Sequence, residues 1–257
     1  METMRSEPLP QLSEEGENAA AGGAAVRVGL VDSGHAPALA ARVASAAAFV
    51  LGEDGVRREA AGPDRLGHGS RLAEVIAACA PRAQLCVAQV FHARLATTAA
   101  QVAAAIDWLV AQRVALINLS LGLRAPRPVL AEACARARAA GVLLCAAAPA
   151  RGEPVYPAAF SGVLRMTGDA RCARMEISAL GTRYADFGAH ARPLDGSLAG
   201  GGASVGCAHL SGHIARYLDD CRAAGRMAGE EDVRQWLCAQ ARYHGPERRG
   251  GEGTRLA

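Results

Sequence analysis

The sequence predicts an α/β domain in which a mostly parallel sheet is covered by helices on both faces. Strand-like and helix-like segments alternate along most of the chain, which is the pattern of repeated β-α units. The strand-like segments are continuously apolar, as expected of strands that are buried on both faces. The length of 257 residues suits one such domain with a sizeable core.

Local patterns place the elements of the first half. Continuous apolar runs predict strands at 26–31, 84–90, 115–119 and 142–147. Helical spacing of apolar residues predicts helices at 68–79, 98–111 and 128–139, the last of which begins at a proline and ends before Gly141. An alanine-rich segment that begins at Pro37 predicts a helix over 37–47, and the polar segment 54–64 predicts a loop.

The second half has shorter and less regular elements. Strands are predicted at 163–167, 175–178 and 184–187, and helices at 203–218 and 230–242. We expect one folded domain over residues 26–244. Residues 1–25 read as a disordered acidic tail and 245–257 as a flexible C-terminal tail, because both are polar and rich in glycine or proline.

Composition excludes several classes of function. A net charge of +3 is too small to indicate a nucleic-acid partner, and no apolar run is long enough to span a membrane. The chain has eight cysteines but no C-x-x-C pair, and no acidic glycine-rich loop suits calcium, so we predict neither a metal site nor a cofactor. Most cysteines lie in apolar runs and the N-terminus lacks a signal-peptide pattern, which favours a reduced, cytoplasmic protein.

Three polar residues lie in contexts that suit nucleophilic catalysis. Asp32 ends an apolar strand in D-S-G, His68 begins a helix in H-G-S, and Ser204 follows three glycines and Ala203 at a helix start. Taken singly, Asp32 could be a turn residue, and His68 or Ser204 a helix cap. Together they have the roles of a Ser-His-Asp triad, in the chain order Asp, His, Ser that is known from subtilisin.

These motifs resemble those of subtilisin-like serine proteases over residues 26–243. Asp32-Ser33-Gly34 is similar to the family's D-[ST]-G motif, His68-Gly69-Ser70 to H-G-[TS], and Gly202-Ala203-Ser204 to G-T-S, with Ala203 in place of threonine. The resemblance implies the three-layer subtilisin-like fold. It also implies that Asp32 orients His68, that His68 acts as the general base, and that Ser204 attacks a peptide carbonyl.

Two further segments carry the resemblance. Residues 117–122, INLSLG, resemble the strand with which the family pairs an extended substrate, which implies that Ser120, Leu121 and Gly122 bind the substrate backbone. Tyr156-Pro157-Ala158 resembles a segment near the family's primary specificity pocket.

The sequence departs from the family at the oxyanion hole. The family has an asparagine shortly after the small-residue strand, and the corresponding place here falls on Pro149 or Ala150. Neither side chain can donate a hydrogen bond, and proline also lacks an N–H. The backbone N–H of Ser204 remains as one donor, Arg151 is a candidate replacement for the other, and the side-chain donor is otherwise unknown. Loss of one donor costs roughly 10²–10³ in kcat, a magnitude measured in subtilisin itself.

We therefore expect a slow, selective serine endopeptidase that acts inside the cell on a dedicated peptide or protein substrate. Leader-peptide removal is one such task, and the maturation proteases of peptide-modification operons, including that of quinohemoprotein amine dehydrogenase biogenesis, are the relatives we suggest. The only expected partner is a substrate bound in extended form, with no nucleic acid or membrane. Two alternatives stay open: a non-catalytic peptide-binding pseudo-protease, and an intracellular housekeeping subtilase.

Overall fold

The computed structural model describes residues 25–197 and 200–247 of the chain. The strands are β1 (Arg27–Asp32), β2 (Val43–Gly52), β3 (Gly55–Ala60), β4 (Gln84–Gln89), β5 (Leu116–Leu119), β6 (Leu143–Ala147), β7 (Leu164–Gly168), β8 (Ile177–Ala179), β9 (Phe187–Ala189) and β10 (Ala241–His244). The α-helices are α1 (His68–Cys79), α2 (Ala99–Ala111), α3 (Pro128–Ala139), α4 (Ala203–Ala223) and α5 (Glu230–Gln240), and a 3₁₀ helix spans Pro37–Arg42.

All ten strands form one sheet, in the order β10-β8-β9-β7-β6-β5-β1-β4-β2-β3. Neighbouring strands are parallel except in the pairs β2–β3 and β8–β9. β1 lies in the middle, between β4 and β5, and Asp32 at its end is in register with Gln89. The carboxyl ends of the central strands therefore meet at one edge, where parallel α/β sheets carry their functional groups.

Helices cover both faces of the sheet. On one face α1, α4 and α5 contribute buried residues such as Leu72, Leu210 and Leu237 to a common core. On the other face α2 and α3 contribute Ile106 and Leu130 to a second core. The predicted α/β class with a mostly parallel, doubly covered sheet is confirmed.

The predicted elements agree with the structure in most of the chain, but the prediction for residues 37–64 was wrong. The expected helix over 37–47 is a short 3₁₀ helix followed by β2, and the expected loop over 54–64 contains β3. β2 runs beside β4 and turns back into β3 at the edge of the sheet, with Phe49 buried against Trp108. These tertiary contacts override the helix propensity of the alanines.

The C-terminal region differs in a smaller way. The helix expected over 230–242 ends at Gln240, and the next four residues pair with β8 as strand β10. The two expected tails fall almost wholly on residues 1–24 and 248–257, which lie outside the described residues. Within the described residues, every helix is too short or too polar to cross a bilayer.

Candidate active site

Asp32 is a buried carboxylate at the carboxyl end of the central strand β1. Its side chain is fully buried, and its Oδ1 accepts a 2.8 Å hydrogen bond from the backbone N–H of Ser33. Oδ1 and Oδ2 lie 2.8 and 3.0 Å from Nδ1 of His68. An N–H on Nδ1 therefore donates to the carboxylate, and Nε2 is left as the ring nitrogen that can exchange a proton with a nucleophile.

The loop before α1 fixes the position of His68. Gly67 has φ 68° and ψ 0°, a left-handed conformation that glycine adopts without strain, and His68 is the first residue of the helix. The carboxylate of Asp64 accepts hydrogen bonds from the N–H groups of Leu66, Gly67 and Ser70 and from the Ser70 hydroxyl. Asp64 was not predicted from the sequence, although D-R-L-G before a helix is a recognisable turn and cap pattern.

The environment of His68 favours its protonated form. Burial alone would lower the pKa of its imidazole, but the hydrogen bond and negative charge of Asp32 outweigh burial and raise the pKa above 6.5. Arg71 acts in the opposite direction and Asp64 in the same direction as Asp32. The side chain is 15% exposed. This arrangement suits a base that must become an imidazolium during a reaction.

Ser204 is the second residue of α4, the long helix that packs beside α1. Gly202 precedes the helix with φ 110°, and its carbonyl accepts a hydrogen bond from the N–H of Gly206. The first N–H groups of a helix have no partner within the helix, and the helix dipole is positive there. Ser204 therefore presents its hydroxyl beside backbone N–H groups that can stabilise an oxyanion.

Two glycines let the start of α4 lie directly on the sheet. A Cβ at Gly206 would lie 2.2 Å from the carbonyl oxygen of Thr167 in β7, and one at Gly168 would lie 2.7 Å from the carbonyl oxygen of Gly202. Neither distance is possible for a real side chain. The small residues around Ser204 thus bring the nucleophile candidate down to the sheet edge where Asp32 and His68 lie.

One cleft of about 280 Å³ is lined by two members of the predicted triad and by the predicted substrate strand. His68 and Ser204 line it together with Ser120, Leu121 and Gly122, and Phe91 and residues 95–97 form its other side. The predicted catalytic and substrate-binding residues therefore come together, although Ser204 lies 136 residues beyond His68 in the sequence. Their roles as catalytic and substrate-binding residues remain predictions.

Asn118 and Ser120 connect the sheet to the helix that carries Ser204. The Ser120 hydroxyl lies 2.8 Å from Oδ1 of Asn118 and 3.2 Å from the carbonyl oxygen of Ser204. Asn118 is fully buried and its Nδ2 donates to Ser211 Oγ at 2.9 Å. Asn118 belongs to the predicted substrate-strand motif. Its side chain, however, lies beneath α4, where both its amide nitrogen and its amide oxygen are hydrogen-bonded.

No side chain is assigned as the second hydrogen-bond donor of the oxyanion hole. Ala148 is buried after β6, Pro149 is half-buried and Ala150 is exposed, so the chain reaches the surface at the position of the family's asparagine. Arg151 is also exposed. Tyr156 forms an isolated antiparallel bridge to Leu123, which holds the Y-P-A segment beside the predicted substrate strand.

A second group of polar residues lies away from the cleft. Cys79, His209 and His213 bring one ligand atom each to within 4.8 Å of the others in the described part of the chain. The sequence predicted no metal site. The readable signal was the spacing of the two histidines, which places both on one face of α4.

Sequence comparisons match more than half of the chain to known proteases. Residues 23–165 match the model of the subtilase family, a range that contains Asp32, His68 and residues 120–122 but ends before Ser204. A thermostable alkaline protease of Halalkalibacterium halodurans is 32% identical over 163 residues, which cover 59% of this chain and 44% of the relative. Subtilisin Savinase of Lederbergia lenta is 29% identical over 153 residues, or 55% of each chain. The chain thus spans about half the length of these curated relatives.

Solved structures share the fold over most of the chain. A psychrophilic protease, S41, superposes with a TM-score of 0.63 at 22% identity and covers 86% of both chains. A lanthipeptide protease superposes with a TM-score of 0.61 at 17% identity, covering 82% of this chain and 78% of its own. The resemblance in the motifs is confirmed by the family match over more than half of the sequence. The chain belongs to the subtilase family.

Proposed function

We propose that this protein is a serine endopeptidase that uses Ser204 as nucleophile, His68 as general base and Asp32 as the group that orients His68. The observation that carries the proposal is the buried Asp32–His68 hydrogen bond, at 2.8 Å, in a cleft that Ser204 also lines. A buried carboxylate paired with an imidazole beside a helix-start serine suits acyl transfer better than any other common chemistry.

The proposed roles of these groups define the reaction. His68 Nε2 takes the proton of the Ser204 hydroxyl while the serine oxygen attacks the carbonyl carbon of the peptide bond. Asp32 stabilises the imidazolium, which then gives its proton to the leaving amine, so that an acyl-enzyme remains. Water attacks the ester with His68 again as base, which releases the acid product and restores Ser204.

The substrate is proposed to bind as an extended chain along residues 120–122. Leu123 already uses its N–H and C=O in paired hydrogen bonds with Tyr156, at 2.8 and 2.9 Å. A Cβ at Gly122 would lie 3.0 Å from the Val155 side chain, so glycine keeps this strand close to the Y-P-A segment. Residues 120–122 lie in the cleft outside any sheet pairing, where a substrate strand can add its own hydrogen bonds.

We further propose that the substrate is a dedicated peptide or protein inside the cell. The lack of a side-chain donor at Pro149 and Ala150 supports slow, selective catalysis over general degradation. All eight cysteines are free thiols, and seven of them are buried, which supports a reducing compartment. A lanthipeptide protease shares the fold, so peptide-specific processing is a task for which this architecture is used.

The same missing donor favours a second candidate, a peptide-binding protein without efficient catalysis. The retained Asp32–His68 pair favours the first. A fluorophosphonate probe separates the two, because it reacts with a serine only when a neighbouring base activates the hydroxyl. We expect the probe to label the wild type but not Ser204→Ala. Ser211→Ala, a matched control on the same helix, should be labelled like the wild type. An unlabelled wild type, in conditions that label another subtilase, would overturn the enzyme assignment.

Substrate breadth needs a separate experiment. The enzyme is incubated with casein and with the peptide encoded beside its gene, and the products are identified by mass spectrometry. We expect one cleavage in the neighbouring peptide and little digestion of casein. Rapid digestion of casein would contradict a dedicated substrate and leave the catalytic assignment in place.

A further inference from the structure

Cys79, His209 and His213 form a buried cluster of three metal-binding side chains between α1 and α4. All three are buried, with 4%, 1% and 4% of their surface exposed, and Cys79 Sγ lies 3.5 Å from Nδ1 of His209. One ligand atom from each residue lies within 4.8 Å of the other two. We infer that this cluster binds Zn²⁺ and that the metal joins the two helices on which His68 and Ser204 lie.

The backbone is shaped to bring these residues together. Cys79 is the last residue of α1, and His209 and His213 are one turn apart on the face of α4 that packs against α1. Gly212 lies between them in sequence, and a Cβ there would lie 2.5 Å from the Cβ of Cys79. Only glycine allows α4 to approach Cys79 so closely, and this approach places the thiol beside both imidazoles.

The hydrogen bonds of the cluster leave ligand atoms without partners. Nε2 of His213 is buried and has no hydrogen-bond partner in the described residues. Such an atom is rare in folded proteins and points to a group that is bound there. Nε2 of His209 lies 3.4 Å from the carbonyl oxygen of Arg192, so a proton on Nε2 leaves the lone pair of Nδ1 directed at Cys79. An imidazole that donates to a backbone carbonyl through its other nitrogen is the usual arrangement of a metal-ligating histidine.

The chemistry of the three donors selects the metal. One thiolate and two imidazoles suit Zn²⁺, which binds three protein ligands plus one further group, or four protein ligands, in tetrahedral geometry. Bond lengths of about 2.3 Å to sulfur and about 2.0 Å to nitrogen place tetrahedral ligand atoms roughly 3.5 Å apart. The Cys79–His209 separation already has this value, and a shift of about 1 Å brings in His213.

Two cationic side chains act against a bound metal. The positive charges of Arg174 and Arg216 both act on the Cys79 thiol, so they oppose the cation and limit its affinity. A thiol that binds Zn²⁺ gives up its proton, so one proton is released for each metal bound.

Cobalt substitution tests the site without any need for activity. Untagged protein is treated with a chelator under reducing conditions and titrated with Co²⁺, then with Zn²⁺ in competition. We expect one Co²⁺ per chain, with a thiolate-to-cobalt charge-transfer band and the intense visible bands of tetrahedral cobalt, both removed by one equivalent of Zn²⁺. Cys79→Ala should abolish the charge-transfer band, and His213→Leu should weaken Co²⁺ binding at least 100-fold.

Two matched variants control for other thiols. Cys238→Ser removes the one exposed cysteine, and Cys134→Ala removes a buried cysteine of the opposite core, and neither should alter the spectrum. Near-ultraviolet circular dichroism reports whether each variant is folded. The absence of the charge-transfer band in the wild type overturns the site, whether or not the variants fold. A band that survives in folded Cys79→Ala, or that disappears in Cys238→Ser, also overturns it. Neither result bears on the proposed peptidase activity, which has its own probe.

Discussion

The backbone N–H of Gly69 donates a 2.9 Å hydrogen bond to the side-chain hydroxyl of Ser33 and thereby joins the loops that carry His68 and Asp32. The two loops are in direct contact at this point. A Cβ at Gly69 would lie only 2.4 Å from the carbonyl oxygen of Gly34, so no larger residue fits. The Asp32–His68 hydrogen bond therefore depends on a glycine after the histidine as well as on the two functional side chains.

The first prediction concerns this close approach. Gly69→Ala must push α1 away from the D-S-G loop, because the atom it meets is backbone and cannot rotate aside. We expect a loss of stability of about 2 kcal/mol and a fall in kcat/KM of at least 100-fold, since a displacement of about 1 Å at a catalytic group has this effect. Urea unfolding measures the loss of stability, and peptide hydrolysis measures the change in kcat/KM.

Gly62→Ala is the matched control. Gly62 also lies near the site, but its Cβ would meet only the Gln89 side chain, at 3.9 Å. Stability and kcat/KM should both stay close to the wild type. Equal losses in Gly62→Ala and Gly69→Ala would show that the contact with Gly34 has no special importance.

The second prediction concerns the charge of Asp32. Asp32→Asn keeps the shape of the side chain but removes the negative charge and favours the wrong tautomer of His68. We expect kcat to fall roughly 10⁴-fold with little change in KM, as in other triads of this type. A fall of less than ten-fold would contradict the assignment of Asp32 as the residue that orients His68.

The third prediction concerns the pH profile that Asp32 imposes on His68. Only neutral His68 can accept the serine proton, so kcat/KM should rise with pH through the pKa of His68. Because Asp32 outweighs burial and raises that pKa, the midpoint should lie above 6.5 in the wild type. Arg71 lowers the same pKa, so Arg71→Gln should move the midpoint to higher pH. A midpoint that does not move in Arg71→Gln, or lies below 6.5 in the wild type, would argue against His68 as the base.

Much of the fold could be predicted because local and tertiary preferences agree in the centre of the sheet. The interiors of β1, β4, β5 and β6 are mostly apolar, and these are also the strands buried on both faces. At the edge the preferences conflict. The alanines of β2 favour a helix, and the polar residues of β3 look like a loop because an edge strand faces solvent. The turn residues 52–55, G-E-D-G, were the available sign of a hairpin.

The candidate site was predictable only where one short motif carries each residue. D-S-G, H-G-S and the glycines before Ser204 predict the triad without any knowledge of contacts. Asn118 acts through a hydrogen bond to a distant segment, and no local pattern distinguishes it from an ordinary strand residue. Asp64 bonds within its own loop, where D-R-L-G indicates a turn but not its link to the site. Cys79 and His209 are 130 residues apart in sequence. Their contact depends on how α1 packs against α4, which a single sequence does not state.

The fourth prediction concerns a partly buried ion pair that links three elements. Asp186, just before β9, accepts hydrogen bonds from the backbone N–H and the guanidinium of Arg165 in β7 and lies 3.4 Å from Arg234 of α5. Burial alone would raise its pKa, but Arg165 and Arg234 lower it overall. We expect Asp186→Asn to reduce the free energy of unfolding by about 2 kcal/mol at pH 7.

The sign of the pH dependence follows from the lowered pKa. The stabilisation by Asp186 is complete above the pKa of an unfolded aspartate, about 3.9, and is lost as pH falls through the lower folded value. The difference between wild type and Asp186→Asn should therefore shrink below about pH 4. Asp107→Asn is the control, because its pair with Arg136 is exposed and should contribute less than about 1 kcal/mol. Equal effects of the two substitutions in urea unfolding would contradict the importance of burial.

The last prediction restores the missing oxyanion donor. Ala150 lies at the surface two residues after the buried Ala148, at one of the two positions that correspond to the family's asparagine. An asparagine amide there could donate to the oxyanion while the Ser204 N–H donates from the other side, which stabilises the transition state more than the bound substrate. We expect Ala150→Asn to raise kcat at least ten-fold with KM nearly unchanged, and Ala150→Asp, which is similar in size but only accepts hydrogen bonds when ionised, to lower it. If both substitutions leave kcat unchanged, a side chain at position 150 does not reach the oxyanion, and Arg151→Gln then tests whether the exposed arginine beside it is the donor.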